Sequence, residues 1–307
     1  MNIKQIIGIV FLLFAGAGLV FAVARRAPVP ASDGKIEVVA SFYPLAFFAA
    51  EIGGDYATVT NITPAGAEPH EYEPTAGDIA RMERSRILIL NGAGLEPWGE
   101  RIRGTLDPIK TRVVIADNGL ATMDISGGDQ PISDPHMWLS PLLAQGITDN
   151  ILAGLIAADP LRRAGYEANA AALKTKLVDL DREYRESLRN CGGKNIITSH
   201  TAFGYLAAEY GLHQIGIAGV SPDAEPSVGD LARIAEFAKK NRAEAIFFES
   251  LTSPRLSETI AREIGARVLP LNPIEGLTGE EIARGENYFT IMRSNLNNLH
   301  RGLVCTP

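Results

Sequence analysis

The chain has 307 residues, of which 46% are hydrophobic and 21% charged, with a formal net charge of −7. That length suits about two domains of ~150 residues, each able to bury a core. The acidic balance argues against a nucleic-acid partner and says little else about function.

The N-terminus reads as a targeting segment. Lys4 supplies a positive start, Ile6 to Ala24 is an unbroken apolar run, and Ala22-Val23-Ala24 is an A-x-A cleavage signal. Residues 1–24 are therefore expected to be a secretory signal peptide. The run also approaches the ~20 residues of a membrane span, so an uncleaved membrane anchor stays open. Either way the globular part is exported, to the periplasm or tethered to the outer face of the cytoplasmic membrane. No cysteine lies in this region, so no lipid-modified N-terminal cysteine is expected. Residues 25–35 read as a spacer.

Lys35–Ser41 is a strand, Phe42–Ile52 a helix closed by Gly53-Gly54, and Ala57–Ile62 a second strand leading into a Pro/Gly loop. Thr75 caps a helix to about Ser85, Arg86–Asn91 is a buried strand, and Thr111–Ala116 is another. Residues 117–134 read as a surface loop. Pro141–Ala158 is helical. Asp159-Pro160 is a break, after which a long helix runs from about Leu161 to Arg189 with apolar residues on one face. The α/β pattern then restarts, with strands at 195–198, 214–217, 245–249 and 267–271. Helices are expected at 202–210, 229–241 (capped by Ser227), 254–264 and 287–302. This alternation predicts two α/β, Rossmann-like lobes: residues 36–158, then a rigid connecting helix over 159–190, then residues 191–307.

Three of the five histidines stand where a strand gives way to a loop or helix: His70 in Glu-Pro-His-Glu-Tyr, His136 in Asp-Pro-His-Met-Trp, and His200 in Thr-Ser-His-Thr-Ala. Ligands of open α/β sheets bind outside the carboxyl ends of strands, so three imidazoles delivered there point to a metal site. Glu275, also in a loop after a strand, is the candidate fourth ligand; Glu68, Glu71 and Glu249 compete with it, and Asn272 is placed to orient a ligand. Two ligands from each half put the ion in the interlobe cleft. Three imidazoles and one carboxylate suit tetrahedral Zn²⁺ better than Mn²⁺, and leave the bound site at net +1. A helix starting just after His200 is expected to lower that imidazole's pKa through its dipole, with acid releasing metal as pH falls through the low sixes and fives. His213 and His300 read as structural or solvent-facing. Trp138, Tyr72 and Phe203 suit either a wall around the site or the core. Glu225 reads as a helix-start residue. Cys191 and Cys305 permit either a disulfide or two free thiols in an exported protein.

With these motifs assembled, the chain resembles the zinc-binding branch of the metal-specific solute-binding proteins of ABC importers (ZnuA-like, TroA superfamily). The resemblance covers about residues 36–303. It rests on Pro64-x-Gly66-x-x-Pro69-His70-x-Tyr72-x-Pro74-Thr75, Asp134-Pro135-His136-x-Trp138-Leu139, Ser199-His200-x-Ala202-Phe203-Gly204-Tyr205, Glu225-Pro226-Ser227 and Leu271-Asn272-Pro273-Ile274-Glu275-Gly276-Leu277. The ending Tyr288-Phe289-x-x-Met292-x-x-Asn295-Leu296 also fits. The resemblance implies metal ligands at His70, His136 and His200, with Glu275 completing the site. It also implies a cysteine pair at Cys191 and Cys305, and two lobes joined by one long helix. Manganese-binding relatives carry a carboxylate where His200 stands, which favours zinc here. Many zinc-uptake members carry a His-rich loop before the second ligand, whereas residues 117–133 contain no histidine. The implied function is a monomeric, non-enzymatic receptor that hands Zn²⁺ to an ABC permease. Two other readings stay open: a zinc hydrolase, since three histidines and a nearby glutamate can activate water, and an adhesin with a structural metal.

Overall fold

Four short apolar runs of the first half form strands β1 (Ile36–Ala40), β2 (Ala57–Asn61), β3 (Ile87–Leu90) and β4 (Arg112–Ile115) in the computed structural model. The structure describes residues 34–125, 132–222 and 226–306. The targeting segment, nearly all of the expected spacer, and Glu225 lie outside the described residues. The four strands make one parallel sheet in the order β2-β1-β3-β4, with Val38 of β1 opposite Val59 on one side and Ile87 on the other. β3 is buried at every position, as an interior parallel strand covered on both faces must be. Helices α1 (Tyr43–Gly53), α2 (Ala76–Arg84) and α3 (Gly99–Arg103) connect the strands. α2 starts where Thr75 was expected to cap it: the Thr75 side chain accepts from the Asp78 amide, and Asp78 closes the reciprocal bond, a capping box that satisfies two orphan donors.

Residues 117–134 carry more structure than a bare loop, because β5 (Asp124–Ile125) and β6 (Ile132–Ser133) pair antiparallel. Helix α4 (Pro141–Ala158) follows, with Pro141 in its first turn and the Ser140 hydroxyl accepting from the Leu143 amide. A 3₁₀ turn at Pro160–Arg162 leads into α5 (Arg163–Leu188), 26 residues long and so about 39 Å at 1.5 Å per residue. Its buried residues (Tyr166, Ala170, Leu173, Leu177, Leu180, Tyr184, Leu188) recur every three or four positions, which places them on one face.

The second half repeats the α/β pattern with parallel pairs β7 (Asn195–Thr198) with β8 (His213–Gly216), and β9 (Ala245–Phe248) with β10 (Arg267–Pro270). β7 also lies against β9. Its helices are α6 (Gly204–Glu209), α7 (Val228–Lys240), α8 (Arg255–Ile264), α9 (Gly279–Ala283) and α10 (Tyr288–Gly302). α8 stops at Gly265, whose φ of 76° is a left-handed cap that glycine adopts without a Cβ penalty. Two α/β lobes are thus joined by one long helix. Cys191 and Cys305 form a disulfide that pins the C-terminal tail to the entrance of the second lobe.

The lobes are not independently cored. One continuous apolar cluster runs from Val38 and Phe48 through Tyr166, Leu177 and Tyr184 of α5 to Phe247 and Leu299. Each lobe adds a smaller cluster of its own, around Leu88, Trp98 and Ile102 in the first and Ile197, Ile246 and Ile260 in the second.

Candidate metal centre

The strands of the β1–β4 sheet and of the β7–β8 and β9–β10 pairs run parallel, and segments leaving their carboxyl ends carry three of the four candidate residues. His70 lies in the loop after β2. His136 follows β6 and precedes α4. His200 is two residues past β7. Glu275 lies in the turn after β10. The His70 and Glu275 loops are tied directly, since the Gly66 amide donates to the Leu277 carbonyl at 2.9 Å.

The structure brings these four residues, from four separate segments, to one point. One donor atom from each lies within 4.8 Å of all the others. His70 Nε2 is 3.3 Å from His136 Nε2 and 3.3 Å from Glu275 Oε1. His136 Nε2 is 3.0 Å from Glu275 Oε1, and His200 Nε2 is 3.3 Å from His136 Nε2 and 3.2 Å from Glu275 Oε1. A tetrahedron with bonds of ~2.0–2.1 Å to nitrogen and oxygen has edges of ~3.3 Å, so these five spacings fit a cage for one small cation. His136, His200 and Glu275 are buried, and His70 is the least enclosed of the four.

The imidazoles are aimed by carboxylates. His136 Nδ1–H donates to Asp134 Oδ1 at 2.7 Å, and the His136 amide donates to the same oxygen at 2.9 Å. Glu249 treats His200 alike: its Oε1 accepts from Nδ1–H at 2.7 Å and from the amide at 3.1 Å. At His70 only the amide is held, by Glu68 Oε1 at 3.2 Å. With Nδ1 carrying the proton, the Nε2 lone pair of His136 and His200 faces the centre, as outer-shell carboxylates arrange at metal sites. Each orienting or closing carboxylate keeps a second oxygen buried without a protein partner: Glu68 Oε2, Asp134 Oδ2, Glu249 Oε2 and Glu275 Oε2. Gly204 makes room for one of them, because a Cβ there would sit 2.6 Å from Asp134 Oδ2. The His136 segment is fixed from both sides, by Asn91 Nδ2 donating to the Pro135 carbonyl and Tyr205 O–H to that of Asp134.

The electrostatics differ from the expectation for His200. Burial is the largest single influence on its imidazole and works against the charged form, but the Glu249 and Glu275 charges outweigh it and hold His200 well above the usual histidine range. His136 is raised in the same way, by Asp134 and Glu275 against its own burial. Glu275 is itself buried, yet His200 and hydrogen bonds from the three histidines hold it well below the usual carboxylate range. A helix dipole does not govern His200, because α6 begins only at Gly204 and runs six residues. Burial, with the Glu275 charge second, pushes Glu68 up to about 9. The sequence-based charge of +1 counted four ligands only. Asp134 and Glu249, counted as ionised, bring the same centre to −1 with a divalent cation.

The remaining candidates fall elsewhere. Glu71 is exposed, and His213 and His300 are outside the cluster. Tyr72 donates to Asp78 and packs on the smaller first-lobe cluster. Phe203 is core. Asn272 binds the Ile274 amide rather than a histidine. The orienting role of Asp134 went unread in the sequence, though a carboxylate two residues before a histidine was visible; that of Glu249 was visible only as a carboxylate closing a strand.

A family model described as "Zinc-uptake complex component A periplasmic" (ZnuA) matches residues 38–302. The chain belongs to the ZnuA family. It is 37% identical over 310 residues to the high-affinity zinc uptake system protein ZnuA of Bacillus subtilis, covering 97% of this chain and 96% of that protein. It is 38% identical over 281 residues to the zinc-binding lipoprotein AdcA of Streptococcus pneumoniae, covering 87% of this chain but 56% of AdcA. The chain thus spans little more than half the length of AdcA. Among solved structures, the zinc-bound ZnuA-like domain of S. pneumoniae AdcA superposes with a TM-score of 0.78 at 39% identity, covering 88% of this chain and 99% of that domain. This member of the ZnuA family therefore shares both sequence and architecture with zinc-binding relatives over its whole two-lobe body.

Proposed function

We propose that this protein is an exported receptor that captures Zn²⁺ on His70, His136, His200 and Glu275 and delivers it to an ABC permease. The observation that carries the reading is the convergence of three Nε2 atoms and one carboxylate oxygen at tetrahedral spacing, with carboxylates aiming two of the rings. The family and its zinc-binding relatives support the same cargo. Imidazole-rich donors favour zinc over manganese, which is better served by oxygen. In this reading residues 36–158 and 191–307 are the lobes and 159–190 the connector. Residues 1–24 direct export, to the periplasm or to a tethered position on the membrane's outer face, and the receptor works as a monomer.

It does no covalent chemistry. Four protein donors surrounding the ion leave no open position of the kind that catalytic zinc keeps for water. A receptor must also survive emptying. Zinc titration of residues 36–307 against a chelating dye, with circular dichroism before and after chelation, separates receptor from structural-zinc scaffold. One tightly bound Zn²⁺ per chain and an unchanged fold on removal is the expected result. Unfolding on removal, or no tight site, would contradict it.

A further inference from the structure

The turn that carries Glu275 is strained. Ile274 has a φ of 60°, in the left-handed region that a β-branched residue adopts only when its surroundings compel it. It is fully buried. Two groups compel it, one within the turn and one on α10. Asn272 Oδ1 accepts from the Ile274 amide at 2.7 Å, and Asn295 holds Asn272 by both backbone groups, accepting from its amide at 2.8 Å and donating to its carbonyl at 2.7 Å. The third comes from the segment of another ligand. Trp138 Nε1–H donates to the Pro273 carbonyl at 2.8 Å, and the Tyr288 hydroxyl donates to the Trp138 carbonyl at 2.6 Å. Trp138 is fully buried, two residues from His136, with its ring 5.2 Å from that imidazole and edge-on to Phe42 at 4.7 Å.

We infer that Trp138 is a positioning residue for the fourth ligand: its indole N–H, anchored by Tyr288, holds the Pro273-Ile274 turn in its strained form and so keeps Glu275 against the three histidines. This rests on the metal-site reading above. Beside the contact of the two candidate ligands themselves, the arrangement links the His136 segment to the Glu275 segment by a hydrogen bond between parts of the chain 135 residues apart. A bond that holds a strained turn is also the place where the turn can let go. Losing it frees Ile274 to return to an ordinary backbone conformation and withdraws Glu275, which favours release of the cation. Trp138 touches no cation itself and acts through Pro273 and Ile274.

The test uses purified residues 36–307 in four forms: wild type, Trp138→Phe, Tyr288→Phe and Glu275→Gln, with Tyr184→Phe as a control. Tyr184 is a buried hydroxyl on α5 that donates to the Met292 carbonyl, so its loss removes a comparable bond away from the turn. Two readouts are taken, the rate of Zn²⁺ loss to excess chelator and the visible spectrum of the Co²⁺-loaded protein, which reports the donor set. Trp138→Phe is expected to release Zn²⁺ on the order of tenfold faster and to shift the Co²⁺ bands toward those of Glu275→Gln. Tyr288→Phe moves both the same way by less, and Tyr184→Phe moves neither. Wild-type rate and spectrum in Trp138→Phe, or in Tyr288→Phe should the tryptophan variant not fold, would overturn the proposal. So would equal shifts in Tyr184→Phe, which would mean general loosening. A wild-type chain that fails to bind either ion would sink the metal-site reading itself, and this proposal with it.

Discussion

Glu249 and Asp134 show what individual residues contribute beyond the ligand set. Each spends one oxygen on both the ring N–H and the backbone amide of a histidine, which fixes tautomer and orientation at once. Replacing such outer partners costs 10–100-fold in metal affinity at comparable sites. Glu249→Gln is therefore expected to weaken Zn²⁺ binding by roughly that factor while all four ligands remain; unchanged affinity by dye competition would show that His200 is oriented by its own loop. The same carboxylates set the pH response. His136 and His200 are held above the ordinary range of ~6.5, so at mildly acidic pH each must lose a proton before it can bind a cation. Affinity should then fall as pH falls, beginning above ~6.5 rather than in the low sixes and fives. Zinc titrations from about pH 8 to 5 check this, and a flat profile down to ~6 would contradict it. The fold brings together the four candidate ligands that the sequence offered, although the short strand before His136 reads there as loop. The pKa direction was not legible in the sequence, because Glu249 reaches His200 only where β9 lies beside β7, two strands far apart in the chain.

At the scale of elements, the strands and the longer helices stand close to where hydrophobic period and capping residues put them: Thr75 and Ser227 each cap the helix that follows, and Pro141–Ala158 matches residue for residue, with a Ser140 cap that the sequence reading did not single out. What escaped was short. α3 and α9 span five residues each, too few to show a period, and α6 is shorter than its apolar run because Ala202 and Phe203 are spent on the turn that follows His200. The connecting helix α5 carries the largest packing consequence. Leu177 is fully buried on its inner face, in the cluster shared by both lobes. Leu177→Ala should cost about 2–5 kcal/mol of stability and lower a single unfolding transition. Two separate transitions in calorimetry would mean that the lobes fold apart and the shared cluster does not couple them.

On the scale of the whole molecule, the shared cluster and the long helix bear on how a receptor would load and unload. Two lobes hinged by flexible strands can close widely around a ligand. Here apolar residues of both lobes and α5 pack into one cluster, and interiors packed at crystal-like density resist continuous deformation. Loading should therefore move loops and small rotations rather than whole lobes, which gives weight to local devices at the ligand turns. The sequence foretold the two lobes and the helix between them; it could not foretell that their cores merge, since that depends on which faces of α1, α4, α5 and α10 meet. The central claim is the composition of the site, and zinc K-edge X-ray absorption on the loaded protein tests it most directly. Three imidazoles and carboxylate oxygen at ~2.0–2.1 Å, with one imidazole lost in His200→Ala, is the expected result; a sulfur shell, a histidine-poor oxygen shell, or an unchanged spectrum in His200→Ala would contradict it.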